Sequence, residues 1–109
     1  MKPLVKYLTE EQAVDCVGKG WEKLVRKVYN ARTAIGTTVG IIQVKEKWGG
    51  LRIYTDYYDS ELEKTIMQVG EESLRVCEQC GSPAGLVKKG TWYQTRCEEH
   101  RDEWVPVQD

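Results

Sequence analysis

The sequence predicts an α+β fold, and three patterns in its 109 residues carry that prediction. Apolar residues recur at three- and four-residue steps in two segments, which is the period of an amphipathic helix. Between these segments, two short alternating runs flank a pair of glycines, as in an antiparallel hairpin. Two close pairs of cysteine or histidine residues follow near the C-terminus. A chain of this length is sufficient for one modest hydrophobic core.

The first helix is predicted over residues 10–30. Thr9 followed by Gln12 is a capping-box pattern, in which each side chain bonds a backbone N–H of the other residue. Gly18 and Gly20 each cost a helix about 1 kcal/mol relative to alanine. Either packing compensates for them, or they allow another chain segment to approach closely. The apolar stripe of this helix consists of Val14, Val17, Trp21, Leu24, Val25 and Val28.

A loop over residues 30–38 and a strand over residues 39–47 are predicted next. The strand is rich in β-branched residues, which favour a pleated backbone. Because successive side chains of a strand point to opposite faces, we expect Ile42 and Val44 on one face and Ile41 on the other.

A tight hairpin turn is predicted at Gly49 and Gly50, which offer positive φ angles. The returning strand is predicted over residues 51–56, although the register of the pair is not determined by the pattern. One side of this strand is expected to carry Leu51 and Ile53, and the other side Arg52 and Tyr54.

The second helix is predicted over residues 61–76. Ser60 with Glu63 is another capping-box pattern, and apolar residues repeat at helical steps from Leu62 to Leu74. Because this helix leads directly to Cys77, we expect the C-terminal module to be docked on the rest of the chain and not tethered by a flexible linker.

The C-terminal part of the chain reads C-x2-C, a gap of 16 residues, and then C-x2-H. Zn²⁺ prefers four ligands in a tetrahedron, and two close pairs on tight turns supply them without long-range precision. The predicted module is a zinc ribbon or treble-clef-like unit, with a small hairpin between the pairs and one structural Zn²⁺ per chain. The alternatives are four unrelated residues, or a disulfide with a separate histidine. The predicted ligands are Cys77, Cys80, Cys97 and His100.

Two neighbouring features support the zinc interpretation. His100 is the only histidine of the chain, and it stands where a fourth ligand is needed. Gly81 follows the second cysteine directly, where a turn around a metal often requires positive φ. The remaining cysteine, Cys16, is expected to pack as a small hydrophobic residue at the edge of a helix face.

The predicted organisation is a main domain over residues 1–76, a zinc-binding module over residues 77–104 and a tail over residues 105–109. No run of 18 apolar residues is present, so no membrane association is expected. The N-terminal residues lack the apolar core of a secretion signal. Together with cysteines in a metal-binding pattern, these observations predict a cytoplasmic location.

The distribution of charge argues against duplex DNA as a partner. Residues 1–59 carry 10 basic and 7 acidic residues, whereas residues 60–109 carry 6 basic and 10 acidic ones. Duplex binding depends on a clearly basic face, and the predicted zinc module is acidic.

The chain is expected not to be an enzyme. Four protein ligands leave a zinc ion no open position for water. The only imidazole is one of those ligands, so schemes that pair a serine or cysteine nucleophile with a histidine base are excluded. The remaining carboxylate pairs have simpler explanations at a helix start and on a helix surface.

The hairpin is the candidate binding surface. Aromatic rings and guanidinium groups stack on nucleobases, and basic side chains pair with phosphates. The alternative is that Trp48 and Tyr54 cap the hydrophobic core while the lysines are solvated, because one face of the strands must be buried. The predicted ligand-binding residues are Lys45, Lys47, Trp48, Arg52 and Tyr54.

Residues 44–54 read V-K-E-K-W-G-G-L-R-I-Y. With the C-x2-C and C-x2-H pairs, this stretch resembles a group of short, uncharacterised proteins encoded by bacteriophages and prophages. Their core reads K-E-K-aromatic-G-G-L-R-aromatic-Y, and they end in a similar cysteine and histidine module. The likeness covers roughly residues 39–100, and Trp48 stands where phenylalanine is expected.

The resemblance implies a genomic setting more than a mechanism, since small phage proteins often act on host machinery, including antiviral defence. The leading hypothesis is a non-enzymatic accessory protein of the bacterial cytoplasm that sequesters a small nucleotide-like signal, with a pocket between the subunits of a homo-oligomer. One alternative is single-stranded nucleic-acid binding through the hairpin. The other is an adaptor or inhibitor of a host enzyme, acting through the zinc module and the acidic-aromatic cluster of Glu98, Glu99, Asp102, Glu103 and Trp104.

Overall fold

The structure is a computed structural model that describes residues 6–107. Its elements alternate between helices and antiparallel strands, and the predicted α+β class is confirmed. The helices are α1 (Glu10–Val14), α2 (Glu22–Ile35) and α3 (Ser60–Ser73), with single 3₁₀ turns at Lys19–Trp21 and Glu98–His100. The strands are β1 (Ile41–Lys47), β2 (Gly50–Thr55), β3 (Gly85–Lys89), β4 (Trp92–Arg96) and β5 (Val105–Pro106).

The prediction of one helix over residues 10–30 is wrong, because α1 ends at Val14 and α2 begins only at Glu22. The glycines between them lie against the backbone of the C-terminal module. Gly20 N–H donates to the carbonyl of Glu78 at 2.9 Å. A Cβ on Gly20 would overlap the carbonyl oxygen of Cys77, and one on Gly18 would overlap that of Glu78. The glycines therefore allow close approach of another segment, at the cost of helix continuity.

The short helix α1 is held on α2 by a charge cluster. The guanidinium of Arg26 lies 2.7 Å from the Glu10 carboxylate and 2.9 Å from that of Glu11. Glu22, one helical turn before Arg26, also lies 2.9 Å from it. These partly exposed pairs orient α1, although each contributes modestly to stability.

The prediction of a loop over residues 30–38 is wrong in its first half, because α2 continues to Ile35. The helix ends where Gly36 adopts φ 78° and its N–H bonds the carbonyls of Arg32 and Thr33. Ile35 packs against the core, so the apolar face of α2 extends beyond the predicted boundary.

The strand faces predicted for β1 are also wrong. Ile41 and Val44 are buried together, and Ile42 is exposed. Ile41 pairs with Thr55 and Gln43 with Tyr54, so β1 carries one extra residue between these pairs. Such a bulge shifts the alternation of side chains by one position, and local sequence does not reveal it.

The hairpin turn lies one residue earlier than the glycine pair indicates. Lys47 pairs with Gly50, so the two turn residues are Trp48 at φ 55° and Gly49 at φ 86°. Positive φ at both central residues suits the twist of a two-residue hairpin. Gly50 instead begins β2, where it is buried close to the side chain of Leu74.

The helix starts follow the predicted capping chemistry at one site but not at the other. Thr9 and Gln12 form both bonds of the capping box, at 3.2 Å and 3.0 Å. The box predicted at Ser60 and Glu63 is wrong, because the carboxylate of Asp59 accepts both bonds from the first turn of α3 at 3.0 Å. Helix α3, which corresponds to the second predicted helix, ends at Ser73, three residues before the predicted end.

The core lies between the helices and the inner face of the β1–β2 hairpin. Leu51 and Ile53 face it, and Arg52 and Tyr54 face away, as predicted. Its most buried members are Ala13, Trp21, Val25, Val28, Ile41, Leu62 and Val69.

The small hairpin expected between the cysteine pairs is formed by β3 and β4. The predicted tail over residues 105–109 begins with β5, which pairs with the other edge of β3. In the part of the chain that the structure describes, no helix is long and apolar enough to cross a membrane.

We expect Gly20→Ala to lower the free energy of unfolding by about 2 to 3 kcal/mol, because the new methyl group displaces the Cys77 carbonyl. Gly85→Ala is the matched control, since a Cβ there meets no atom within 4 Å. Urea unfolding of both variants checks the prediction. Equal stabilities would contradict the close contact.

The backbone N–H of Leu62 donates to the Asp59 carboxylate and holds its pKa below its usual range. Because the folded pKa is the lower one, this carboxylate stabilises the fold above about pH 4, and its contribution is lost as the pH falls through the folded pKa. Asp59→Asn retains an acceptor oxygen but does not titrate. We therefore expect wild-type stability to fall more steeply than that of the variant on acidification, as measured by urea unfolding. Parallel pH profiles would refute this role.

Candidate metal centre

The first pair of ligands lies on a tight turn after α3. Cys77 N–H donates to the carbonyl of Ser82 at 2.8 Å, and Gly81 N–H donates to the carbonyl of Cys77 at 2.8 Å. Gly81 has φ 82°, as predicted from its position after the second cysteine. This fold of the backbone brings Cys77 and Cys80 to one side of the turn.

The second pair is placed by the end of β4. Cys97 directly follows that strand and precedes the 3₁₀ turn Glu98–His100. His100 N–H donates to the carbonyl of Cys97 at 3.0 Å, which brings both side chains to the same side. The hairpin of β3 and β4 thus carries the second pair back to the first.

The four ligand atoms lie within 4.8 Å of one another. The Sγ atoms of Cys80 and Cys97 are 3.6 Å apart. Nδ1 of His100 lies 3.2 Å from Sγ of Cys97 and 3.8 Å from Sγ of Cys77. In a tetrahedral zinc site, neighbouring ligand atoms are about 3.5 to 3.8 Å apart. The residues therefore fit a four-coordinate metal ion bound by three sulfurs and one imidazole nitrogen.

The polar surroundings favour deprotonated sulfur at Cys80, whereas burial raises the pKa of Cys97. Hydrogen bonds from the Ser82 hydroxyl and backbone N–H lower the pKa of Cys80 to about 6. The side-chain contact with Cys77 raises the pKa of His100. Thiolate is the form of cysteine that binds metal, so the Ser82 contacts prepare Cys80 for that role. Ser82 was not singled out by the sequence patterns.

Backbone contacts join the metal turn to the main domain. The indole N–H of Trp21, which is fully buried, donates to the carbonyl of Val76 at 2.8 Å. Gly20 bonds the carbonyl of Glu78, and Glu78 N–H donates to the carbonyl of Thr95 at 3.1 Å. The turn that carries Cys77 and Cys80 is therefore bonded on one side to the first helical region and on the other side to β4.

A partly buried acidic and basic pair lies beside this contact. The Glu78 carboxylate and the Arg96 guanidinium are 4.0 Å apart, with side chains 13% and 17% exposed. Burial raises the pKa of Glu78, and the nearby Glu46 carboxylate adds to that effect. The pair supplies opposite charges where the module meets the hairpin.

The hairpin turn is attached to the module by a buried hydroxyl. Thr95, which is fully buried, donates its Oγ1 hydrogen to the carbonyl of Gly49 at 2.6 Å. On the other side of the turn, the Glu46 carboxylate accepts from Gly49 N–H at 2.7 Å. The sequence patterns did not identify Thr95, because its partner is 46 residues away.

The predicted ligand-binding residues share one accessible face of the hairpin. Trp48 is 73% exposed and Tyr54 39% exposed, so neither caps the core. The ammonium of Lys45 lies 5.6 Å from the centre of the Tyr54 ring, and that of Lys47 lies 6.0 Å from the Trp48 ring. Arg52 is exposed on the same side of β2.

A groove with a volume of about 730 Å³ runs between β2 and α3. Its walls combine apolar and aromatic side chains with a few charged ones, which is typical of a binding cleft. Exposed residues that line it include Arg52, Tyr54, Tyr57, Tyr58, Met67 and Leu74.

Cys16 occupies different surroundings from those expected, and the structure shows the degree of burial of two C-terminal tryptophans. Cys16 is exposed, so the prediction that it packs as a hydrophobic residue is wrong. Its thiol donates to the carbonyl of Gln12 at 3.3 Å at the end of α1. Trp104 is partly buried, whereas Trp92 of β4 is 74% exposed.

No match is found for the chain among protein-family models, curated proteins or solved structures. The resemblance of residues 44–54 and of the C-terminal pairs to phage-encoded proteins stays a prediction. The metal-binding geometry is independent of that resemblance, because it is read from the ligand atoms themselves.

We expect Cys97→Ser to abolish stoichiometric metal binding and to lower the free energy of unfolding by about 4 kcal/mol or more, because metal binding and folding of such modules are coupled. Cys16→Ser is the matched control, since Cys16 lies outside the cluster. Elemental analysis and thermal unfolding report the two effects. Full metal content in Cys97→Ser would show that the ligand assignment is wrong.

Proposed function

We propose that the chain is a non-enzymatic binding protein that holds one structural Zn²⁺ and sequesters a small nucleotide-like anion on its hairpin. The observation that carries the proposal is the exposure of Trp48 and Tyr54 on the face that also presents basic side chains. Exposed aromatic side chains grouped on one face mark interaction sites, because monomeric soluble proteins rarely expose large contiguous apolar patches.

The choice of zinc is supported by the donor set. Three cysteine sulfurs and one imidazole are typical of structural zinc sites, in which four protein ligands close the tetrahedron. Such a site supplies stability and no open position for a substrate. The role of the metal is therefore to hold the module rigid, which supports a binding function in preference to catalysis.

The hairpin supplies each contact that a nucleotide-like ligand requires. The Trp48 ring is available for stacking on a base, and aromatic stacking tolerates any base because each presents a π face. Arg52 can donate a bidentate pair of hydrogen bonds to a phosphate. Lys45 and Lys47 already lie near aromatic rings, so they place positive charge beside the stacking surface.

The support beneath the hairpin favours a preorganised surface. Thr95 and Glu46 hold the carbonyl and the N–H of Gly49, the residue that follows Trp48. A turn fixed on both sides loses less conformational entropy on binding, which increases affinity. The zinc module thus stabilises the ligand site although it does not touch the ligand.

The biological setting follows from the resemblance to phage and prophage proteins. In that setting, the chain is an accessory protein of the bacterial cytoplasm, and the ligand is a nucleotide signal of a host defence system. Sequestration requires no chemistry, only affinity sufficient to compete with the host receptor. An adaptor that acts through the acidic module and the exposed Trp92 is the second candidate.

We expect Trp48→Ala to weaken binding of the cognate nucleotide about ten- to hundredfold, because a stacked base contributes about 1 to 3 kcal/mol. Trp92→Ala is the matched control, since Trp92 is equally exposed but lies on β4. Calorimetric titration of cyclic nucleotides and ADP-ribose derivatives into the zinc-loaded protein measures both affinities. An equal loss of affinity in the two variants would show that the hairpin is not the binding site.

The same titrations separate the alternatives. If no nucleotide of the panel binds, the sequestration proposal is rejected. Oligonucleotide binding that weakens steeply with salt would indicate a single-stranded nucleic-acid protein. A stoichiometric host protein recovered by wild type but not by Trp92→Ala would identify an adaptor.

A further inference from the structure

One edge of β2 has no strand partner among residues 6–107. The hairpin sheet contains only β1 and β2, and β1 occupies one edge of β2. Because Lys47 and Gly50 form the pair next to a two-residue turn, the backbone groups of Gly50, Arg52 and Tyr54 point towards β1. The backbone groups of the residues that alternate with these three point to the free edge.

Two hydrogen bonds confirm this alternation. Leu51 N–H donates away from β1, to the hydroxyl of Ser73 on α3 at 2.9 Å. Asp56 N–H donates towards the β1 side, to the carbonyl of Gly40 at 3.0 Å. Ile53 and Thr55 therefore present backbone donors and acceptors outward, beyond the part of the edge that α3 covers.

Apolar surface accompanies this free edge. Met67 of α3 is 66% exposed although it lines the groove beside β2, and Tyr54 on the outer face of the strand is 39% exposed. The groove of about 730 Å³ follows the same edge. Exposed strand edges with apolar flanks are templates for pairing with another strand.

We propose that a second copy of this chain docks here, with β2 of the two copies paired antiparallel about a two-fold axis at Tyr54. In this register Ile53 lies opposite the partner's Thr55, so the outward N–H and C=O groups of each bond those of the other. The bond between Leu51 and Ser73 is left intact, because the pairing stops before Leu51.

The register is self-complementary in side chains as well as in backbone. Arg52 lies opposite the partner's Asp56, and the symmetry repeats that opposite-charge pair on the other side of the axis. Within its own chain the Asp56 carboxylate also accepts from Gly40 N–H and from the Tyr7 hydroxyl. Tyr54 lies opposite the partner's Tyr54 as an aromatic pair across the strands. A register centred on Ile53 instead requires the Leu51 N–H that Ser73 already holds. The free backbone groups of Ile53 and Thr55 are thus both used in the pairing about Tyr54.

The dimer goes beyond the proposed ligand binding and does not depend on it. The two-stranded sheet becomes a four-stranded sheet, which is a more stable unit than an isolated hairpin. Its outer face carries Lys45 and Arg52 from both copies around the paired tyrosines. A ligand bound on this face is therefore expected to meet cations from two subunits.

Analytical ultracentrifugation of the full-length, metal-loaded protein across a concentration series tests the proposal. We expect wild type to sediment as a dimer and Tyr54→Lys to raise the dimer dissociation constant at least tenfold, because two lysines then face each other at the axis. Gln43→Lys is the matched control, since Gln43 is the exposed β1 partner of Tyr54 and lies one strand farther from the axis. A wild-type monomer at every concentration, or a dimer that Tyr54→Lys leaves unchanged, would overturn the proposal.

A second variant tests the register and does not depend on loss of association. Tyr54→Cys in a Cys16→Ser background places two thiols in a pair whose Cα atoms are about 4.5 Å apart, within the range of a disulfide. Treatment with oxidised glutathione is expected to produce a covalent dimer that retains its metal. Absence of this crosslink, or equal crosslinking of Gln43→Cys, would reject the pairing about Tyr54. A monomer whose free β2 edge is instead occupied by an extended peptide or another protein would also reject the dimer.

Discussion

The contact between Gly20 and the turn of Cys77 is the constraint on which the arrangement of the molecule depends. The backbones approach so closely that a side chain at Gly20 would overlap the carbonyl of Cys77, and the N–H of this glycine bonds the carbonyl of Glu78. The buried indole of Trp21 adds a bond to the carbonyl of Val76. These contacts interrupt the helix at its glycines. They also place the metal turn on the main domain, so the position of the ligands and the shape of the core are determined together.

Two buried hydroxyl groups attach the hairpin to the rest of the structure. Thr95 bonds the turn carbonyl of Gly49, and Ser73 bonds the N–H of Leu51 at the start of β2. Each hydroxyl takes the place of a neighbouring strand as the hydrogen-bond partner of a buried backbone group. Without it that group would be buried unpaired, which is costly in an apolar environment. The turn that presents Trp48 is consequently supported by the module and by α3. The candidate metal site, the hairpin geometry and the exposed aromatic face are parts of one structural unit, and the free edge of β2 begins where that support ends.

Much of the local structure could be predicted because its causes are local. The capping box at Thr9, the inward faces of β2 and the positive φ of Gly81 each follow from a few adjacent residues. Some predictions were wrong because a distant segment intervened, and others because a local alternative competed with the predicted pattern. The helix over residues 10–30 is divided because another backbone occupies the space beside its glycines. The faces of β1 are exchanged by a bulge, and Asp59 caps α3 in place of Ser60 because its carboxylate reaches the first turn.

The sequence by itself determined the α+β class, the four candidate metal ligands and the core residues of the helices and of β2 that lie on the predicted apolar faces. Ligand type and spacing are set by the coordination preference of the metal, and core residues follow from the period of helix and strand. Only the tertiary structure decided that Trp48 and Tyr54 lie outside the core, that Cys16 is exposed, and that one edge of β2 is free. These properties depend on which segments cover which surfaces. Whether a surface is covered by another segment depends on long-range packing, and no single stretch of the sequence encodes it.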